Sequence, residues 1–138
     1  MNERILGLDV GDVRIGVSVS DPIGIMALGV DTINRTSNKY AYEEIENYIK
    51  QYNVNKIVVG MPYNMDGSLS EQGEKIKKFA TKLGNKTGID IIYFDERLTS
   101  KSAERILIEG DIKRANRKKY IDKIAATIIL QTYLDSRV

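Results

Sequence analysis

The chain has 138 residues, with 21 Lys and Arg against 19 Asp and Glu, and contains no cysteine, histidine or tryptophan. That length suits one domain spanning residues 1–138, able to bury roughly two-thirds of its unfolded surface without disulfides. The absences exclude a thiolate nucleophile, an iron–sulfur cluster, a Ser-His-Asp triad and any Cys- or His-ligated zinc. Catalysis is left to carboxylates, hydroxyls, Lys, Arg, Tyr and backbone, and any metal to oxygen ligands, which favours magnesium, manganese or calcium.

Residues 4–10 predict a strand with Leu6, Leu8 and Val10 on one face and Ile5, Gly7 and Asp9 on the other. After Gly11 and Asp12, Ile15, Val17 and Val19 alternate with Arg14, Gly16, Ser18 and Ser20, a second strand joined by a tight hairpin. A turn at Asp21-Pro22-Ile23-Gly24 leads to a third strand expected over residues 25–33. The period then changes: Ala41, Ile45, Tyr48, Ile49 and Tyr52 share one helical face. Residues 56–60 carry Ile57-Val58-Val59, the unbroken apolar run of a strand covered on both faces.

Ser68 and Glu71 are spaced as a capping box, opening a helix with Ile76, Phe79, Ala80 and Leu83 inside. Residues 89–94 predict another buried strand, ending in Asp95-Glu96-Arg97. Thr99 or Ser100 is the expected cap of a helix carrying Ala103, Ile106 and Leu107, stopped by Gly110. A last helix over about residues 117–135 shows Ile121, Ile124, Ala125, Ile128 and Thr132 as its main face. The order β-β-β-α-β-α-β-α-α implies an α/β fold: one mixed five-stranded sheet with three leading antiparallel strands and helices on both faces. That is the order of the ribonuclease H-like fold.

The small net charge hides an asymmetry, −3 over residues 1–69 and +5 over residues 70–138. Lys113, Arg114, Arg117, Lys118 and Lys119 place five cations in seven residues. Such a run neutralises phosphates with salt-sensitive affinity, or simply forms a solvated loop and first helical turn. Cations at a helix start oppose the macrodipole. The apolar stretch of residues 124–130 is far short of the roughly 20 needed to cross a bilayer, and Asp9 interrupts the apolar start. The expectation is a cytoplasmic protein with no membrane partner.

Three acids stand out. Asp9 ends an apolar strand, where a carboxylate is rare unless paired or metal-bound, although it also reads as a turn residue closing the hairpin. Asp95 and Glu96 close a later strand, where sites collect in α/β sheets, and alternation lets only one of them readily join Asp9. Their alternative is an acid pair favouring the next helix dipole. Asp122 lies on the last helix, where Ala125 and Ala126 permit close approach to the sheet, or else it pairs with Lys118 or Lys119 on the surface. Three carboxylates brought together repel one another and call for a cation. A metal-activated water is the least strained hydrolytic route without histidine. Arg14 and Arg97 are candidate phosphate contacts, and the loop of residues 60–68 precedes a helix N-terminus that can receive an anion.

Leu6-Gly7-Leu8-Asp9-Val10-Gly11, Arg14-Ile15-Gly16-Val17 and Ser20-Asp21 together resemble the opening signature of the YqgF family. These are RuvC-like Holliday-junction resolvases, also called pre-16S rRNA nucleases. Val59-Gly60-Met61-Pro62 with Asp66-Gly67-Ser68, then Asp95-Glu96-Arg97-Leu98-Thr99, then Asp122 with Ala125-Ala126 and Ile129-Leu130, follow in the family's order over essentially the whole chain.

The resemblance implies a ribonuclease H-like, magnesium- or manganese-dependent endonuclease that matures the 5′ end of small-subunit ribosomal RNA. It implies Asp9, Glu96 and Asp122 as catalytic, metal-binding carboxylates and Arg14 as a substrate or structural arginine. Arg97 and the basic residues of 113–119 then join the substrate-binding set. The wider RuvC-like group ends its central strand with an acid, whereas this chain has Gly60-Met61-Pro62 there, so Glu96 must be supplied from the next strand.

The implied partners are nucleic acid, as precursor 16S rRNA or branched DNA, and pre-ribosomal particles. Two readings compete: a junction resolvase in DNA recombination, which calls for a homodimer to cut two strands symmetrically, and a non-catalytic nucleic-acid-binding protein using the basic run. An actin-type nucleotide phosphohydrolase is a third class, but that fold clamps nucleotide between two related domains.

Overall fold

The computed structural model describes residues 4–98 and 117–137, and β1 (Arg4–Val10) forms its middle strand. β2 (Arg14–Ser20) returns antiparallel, setting Leu8 opposite Val17 and Asp9 opposite Gly16. The Gly11 N–H donates to the Arg14 carbonyl at 2.9 Å to close the hairpin. β3 (Ala27–Asn34) continues the meander, and α1 (Asn38–Tyr52) then crosses to β4 (Val54–Met61), parallel to β1. α2 (Glu71–Thr87) leads to β5 (Asp90–Asp95), parallel to β4, and a 3-10 turn (Glu96–Leu98) follows. The remaining described helix is α3 (Arg117–Ser136). Strand order is β3-β2-β1-β4-β5, the expected mixed sheet of five strands.

Two apolar layers hold this sheet. On one face Leu6, Leu8, Ile15, Val17, Ile57 and Val59 pack against Ala41 and Ile45 of α1 and Ile76, Phe79 and Leu83 of α2. On the other, Ile5 and Val58 pack against Ile129, Leu130 and Leu134 of α3. The Ile57-Val58-Val59 run is completely buried because its alternate members feed both layers.

Four expectations need correction. β3 starts at Ala27, two residues late, because Asp21 Oδ1 accepts the backbone N–H groups of Gly24, Ile25 and Met26 and holds them in the turn, leaving Ile25 exposed. α2 is capped by Ser70, not Ser68: Ser70 Oγ accepts the Gly73 N–H at 2.9 Å. Ser68 serves the preceding turn, its hydroxyl donating to Asp66. β5 is half-buried along most of its length rather than buried, because it is a sheet edge.

The fourth concerns α3. Its closest-packed face is Ala126, Ile129, Leu130 and Leu134, whereas Ile121, Ile124, Ala125, Ile128 and Thr132 are only half-buried. A helix with apolar residues nearly all round gives no single face from sequence, and small residues in the sheet decide the contact. A Cβ on Gly7 would lie 2.8 Å from Leu130 Cβ, one on Gly16 would overlap the Asp122 carbonyl, and buried Ser18 donates to the Ala126 carbonyl at 2.7 Å. The helix expected after Thr99 or Ser100, with Ala103, Ile106, Leu107 and Gly110, lies outside the described residues.

Candidate functional site

Strand direction fixes where the acids gather. β1, β4 and β5 run parallel, so Asp9, the glycine at 60 and Glu96 all fall at their carboxyl ends. Asp9 belongs to the Ile5 and Gly7 face, the face covered by α3. Its cross-strand partner is Gly16, and the absent side chain there lets the Asp122 backbone settle directly on β2. The close approach inferred from Ala125 and Ala126 is real, but Gly7 and Gly16 of the sheet supply as much of the space as Ala126.

Glu96 arrives by a different route. β5 ends at Asp95, and the 3-10 turn swings the next side chain over β4, where Glu96 Oε2 lies 2.9 Å from the place a Cβ of Gly60 would occupy. Gly60 therefore vacates the end of the central strand, and the carboxylate of the neighbouring strand leans into that space. Asp95 goes the other way. Arg97 clasps it through Nε at 3.0 Å to both oxygens and through Nη2 at 2.6 Å, while Arg97 Nη1 donates to the Asn64 carbonyl. That arginine also lies over the Tyr63 ring, and it holds the Asp95 carboxyl below its usual range.

Electrostatics mark Asp9 as the centre of the group. Burial, then the Glu96 carboxylate, then the Asp122 carboxylate push its carboxyl up to about 7. Glu96 is also raised, by burial first and by Asp95 second. Asp122 is held by Arg14, whose Nε donates to Oδ2 at 2.6 Å, with the two side chains 20% and 28% exposed. Among the described residues no group of three acids converges closely enough to enclose a cation. The donor chemistry nevertheless suits a hard divalent ion: oxygen alone, with Asp9 destabilised by two like charges.

The sequence-predicted residues thus separate. Glu96 and Asp122 each lie within electrostatic reach of Asp9; Arg14 clamps Asp122, and Arg97 clamps Asp95. Lys113 and Arg114 lie outside the described residues, and Arg117, Lys118 and Lys119 occupy the start of α3 with side chains outside them. The N-terminus of α2 is closed by Ser70. Sequence reasoning passed over Gly16 and Ser18 as packing residues, but not Gly60. The small residues at alternate positions of β2 were the available signal for the first two, whereas the missing acid at Gly60 had already pointed to Glu96 from the next strand.

The family model described as "RuvX: Holliday junction resolvase" matches residues 3–136. The chain belongs to the RuvX family. This is the group whose YqgF signature the opening strands resemble. A relative from Clostridioides difficile is 52% identical over 138 residues, covering 100% of this chain and 98% of its own. One from Caldanaerobacter subterraneus subsp. tengcongensis is 54% identical over 135 residues, 97% of each chain. Both carry the name "Putative pre-16S rRNA nuclease".

Among solved structures, RuvC of T. thermophilus in complex with a Holliday junction superposes with a TM-score of 0.61 at 13% identity, over 98% of this chain and 95% of that one. The fowlpox virus resolvase with Holliday junction DNA gives 0.62 at 16% identity, over 98% and 99%. At such identities the likeness establishes the fold: the family shares the ribonuclease H-like sheet of the resolvases. No helix among the described residues is long and apolar enough to cross a membrane.

Proposed function

We propose that the chain is a divalent-metal-dependent endonuclease that hydrolyses phosphodiester bonds in trimming the 5′ end of precursor 16S rRNA. The observation that carries this is the meeting of Asp9, Glu96 and Asp122 at one end of the sheet, in a chain with no histidine to act as base. The full-length relatives supply the RNA substrate through their name.

Asp9 and Glu96 would hold a magnesium or manganese ion, with Asp122 joining from α3. A bound ion of this kind lowers the pKa of a water nucleophile and offsets charge on the phosphate. Asp9, deprotonated, contributes the charge that retains the ion, and burial keeps competing water away from its carboxyl. Arg14 fixes Asp122 so that the third carboxylate is delivered at a constant place. Arg97, held by Asp95 at the same end of the sheet, would offer its guanidinium to a neighbouring phosphate, and Lys113, Arg114, Arg117, Lys118 and Lys119 would add salt-sensitive contacts. We infer a cytoplasmic setting with pre-ribosomal particles as partners.

The family description favours one second reading, cleavage of four-way DNA junctions by a homodimer. One experiment separates the two. Purified protein with magnesium or manganese is offered precursor 16S rRNA, an unstructured RNA and a four-way DNA junction. Metal-dependent cleavage near the mature 5′ end of the precursor alone supports the proposal. Symmetric junction cutting without RNA cleavage replaces it with the resolvase reading, and no cleavage of any substrate removes both.

A further inference from the structure

We propose that the cleft between α1 and α2 is a second phosphate-binding site, which takes the sugar-phosphate backbone of the nucleic-acid substrate at a distance from the bond that is cut. This rests on the nucleic-acid reading above and says where the rest of that substrate lies. The cleft has a volume of about 510 Å³ and lies on the sheet face opposite the acids. Arg35, Lys75, Lys78 and Lys82 line it against a single carboxylate, Asp12.

The cations are arranged in two ways. Arg35 is fixed: its Nη1 donates to the Gly11 carbonyl at 2.7 Å, its Nε and Nη2 donate to Asn38 Oδ1, and its guanidinium lies 4.6 Å from the Phe79 ring centroid. Lys75, Lys78 and Lys82 are exposed, recur at i, i+3 and i+7 on α2, and stand in no ion pair among the described residues. Three unpaired lysines over one anchored arginine form a row of charge, which suits a polyanion better than one small anion.

Two further features raise the potential in the same direction. Ser37 and Asn38, at the start of α1, form part of the lining, and the first turn of α1 carries no acid to offset its positive dipole end. Gln72 at the start of α2 reaches Asp12 Oδ1 at 3.4 Å and engages that carboxylate, while Glu74 borders Lys78 and Lys82 on their other side.

Continuity with the acids comes through the hairpin. Gly11, which Arg35 grips, is two residues past Asp9, and Asp12 lines the cleft. A strand leaving the acidic end would bend over the β1–β2 tip to reach the row of lysines on the other face.

The test compares wild type, the K75Q/K78Q/K82Q triple variant and a K50Q/K86Q control, whose changes lie at the far ends of α1 and α2. Glutamine keeps the helix propensity at these exposed positions, and circular dichroism verifies the fold. Binding of a labelled precursor 16S rRNA 5′-leader and of a plain DNA duplex is titrated over a salt series without divalent metal. Cleavage is assayed separately with magnesium. The triple variant should lose affinity for both probes, with its log–log salt slope shallower by about two to three, as expected for three lost phosphate contacts. The control should retain most of the wild-type slope.

A triple-variant slope no shallower than the control's overturns the cleft assignment, while wild-type cleavage would leave the nuclease reading intact. A shallower slope in a protein that cleaves nothing supports the cleft and removes the nuclease reading. Wild-type protein that binds neither probe overturns the cleft assignment as well.

Discussion

Arg14 Nε donates to Asp122 Oδ2 at 2.6 Å, tying the start of β2 to a helix 108 residues further along the chain. The pair neutralises one of three neighbouring carboxylates, and both partners are largely out of water. Arg14→Gln leaves Asp122 poorly compensated and should cost about 1–3 kcal/mol in metal-free protein. Magnesium should then raise the melting temperature of the variant more than that of wild type, because a cation takes over the lost charge. Thermal melts with and without magnesium measure this. Equal metal stabilisation of the two proteins would show that the cation and the guanidinium do not serve the same charge.

Asp9→Asn, Glu96→Gln and Asp122→Asn remove one charge each while keeping size and hydrogen-bonding capacity. Each should lower metal-dependent cleavage by about a hundredfold or more, the scale of losing a group that meets developing charge. Folding and RNA binding should persist: Asp9→Asn and Glu96→Gln relieve like-charge repulsion, while Asp122→Asn should cost some stability by leaving Arg14 without its ion pair. If all three variants cut like wild type, the acids are not the catalytic set.

The Asp9 carboxyl, pushed up from its ordinary 3.8 to about 7, makes metal-free stability depend on pH with a defined sign. The folded protein binds this proton more tightly than the unfolded chain. Its contribution is full below the ordinary value and is lost progressively as pH rises through about 7, by an amount of order a few kcal/mol. The stability gap between Asp9→Asn and wild type should therefore widen from about pH 4 to about pH 7 and then level. A gap constant across that window would contradict the assigned environment. Magnesium affinity should fall over the same range on acidification, since the ion displaces the proton.

Two glycines permit a test that separates folding from the site. A Cβ at Gly16 meets the backbone carbonyl of Asp122, which cannot turn aside, so Gly16→Ala should destabilise by about 3 kcal/mol or more. A Cβ at Gly60 meets Ile129 Cδ1 at 2.5 Å and Glu96 Oε2 at 2.9 Å, both tips of flexible side chains. Gly60→Ala should leave a folded protein, as judged by thermal melts, with Glu96 displaced and cleavage reduced about tenfold or more. Unchanged activity in a well-folded Gly60→Ala variant would mean that Glu96 does not act from above β4.

The sequence by itself determined the order of the described elements and the mixed sheet, and its family resemblance marked the candidate acids. The first two follow from periodicity along the chain; the choice of Glu96 over Asp95, which alternation left open, came from the family resemblance. Ile57-Val58-Val59 between turn residues reads as a strand covered on both faces, as found, and a chain without His or Cys leaves oxygen groups as candidate ligands. Tertiary structure decided what local pattern leaves degenerate. Ser68 and Ser70 both precede α2, and the Asp66 turn claims the first, leaving the second as cap. α3 is apolar nearly all round, so its docked face was set by Gly7, Gly16 and Ser18, residues far away in sequence that form a shallow bed on the sheet. That bed places Asp122 beside Asp9, and the space above Gly60 admits Glu96 rather than Asp95 to the group. Helical spacing aligns the cleft lysines along α2, and only the tertiary fold sets that row opposite Arg35. The missing histidine and cysteine narrowed the candidate ligands to oxygen groups, and the fold selected which ones meet.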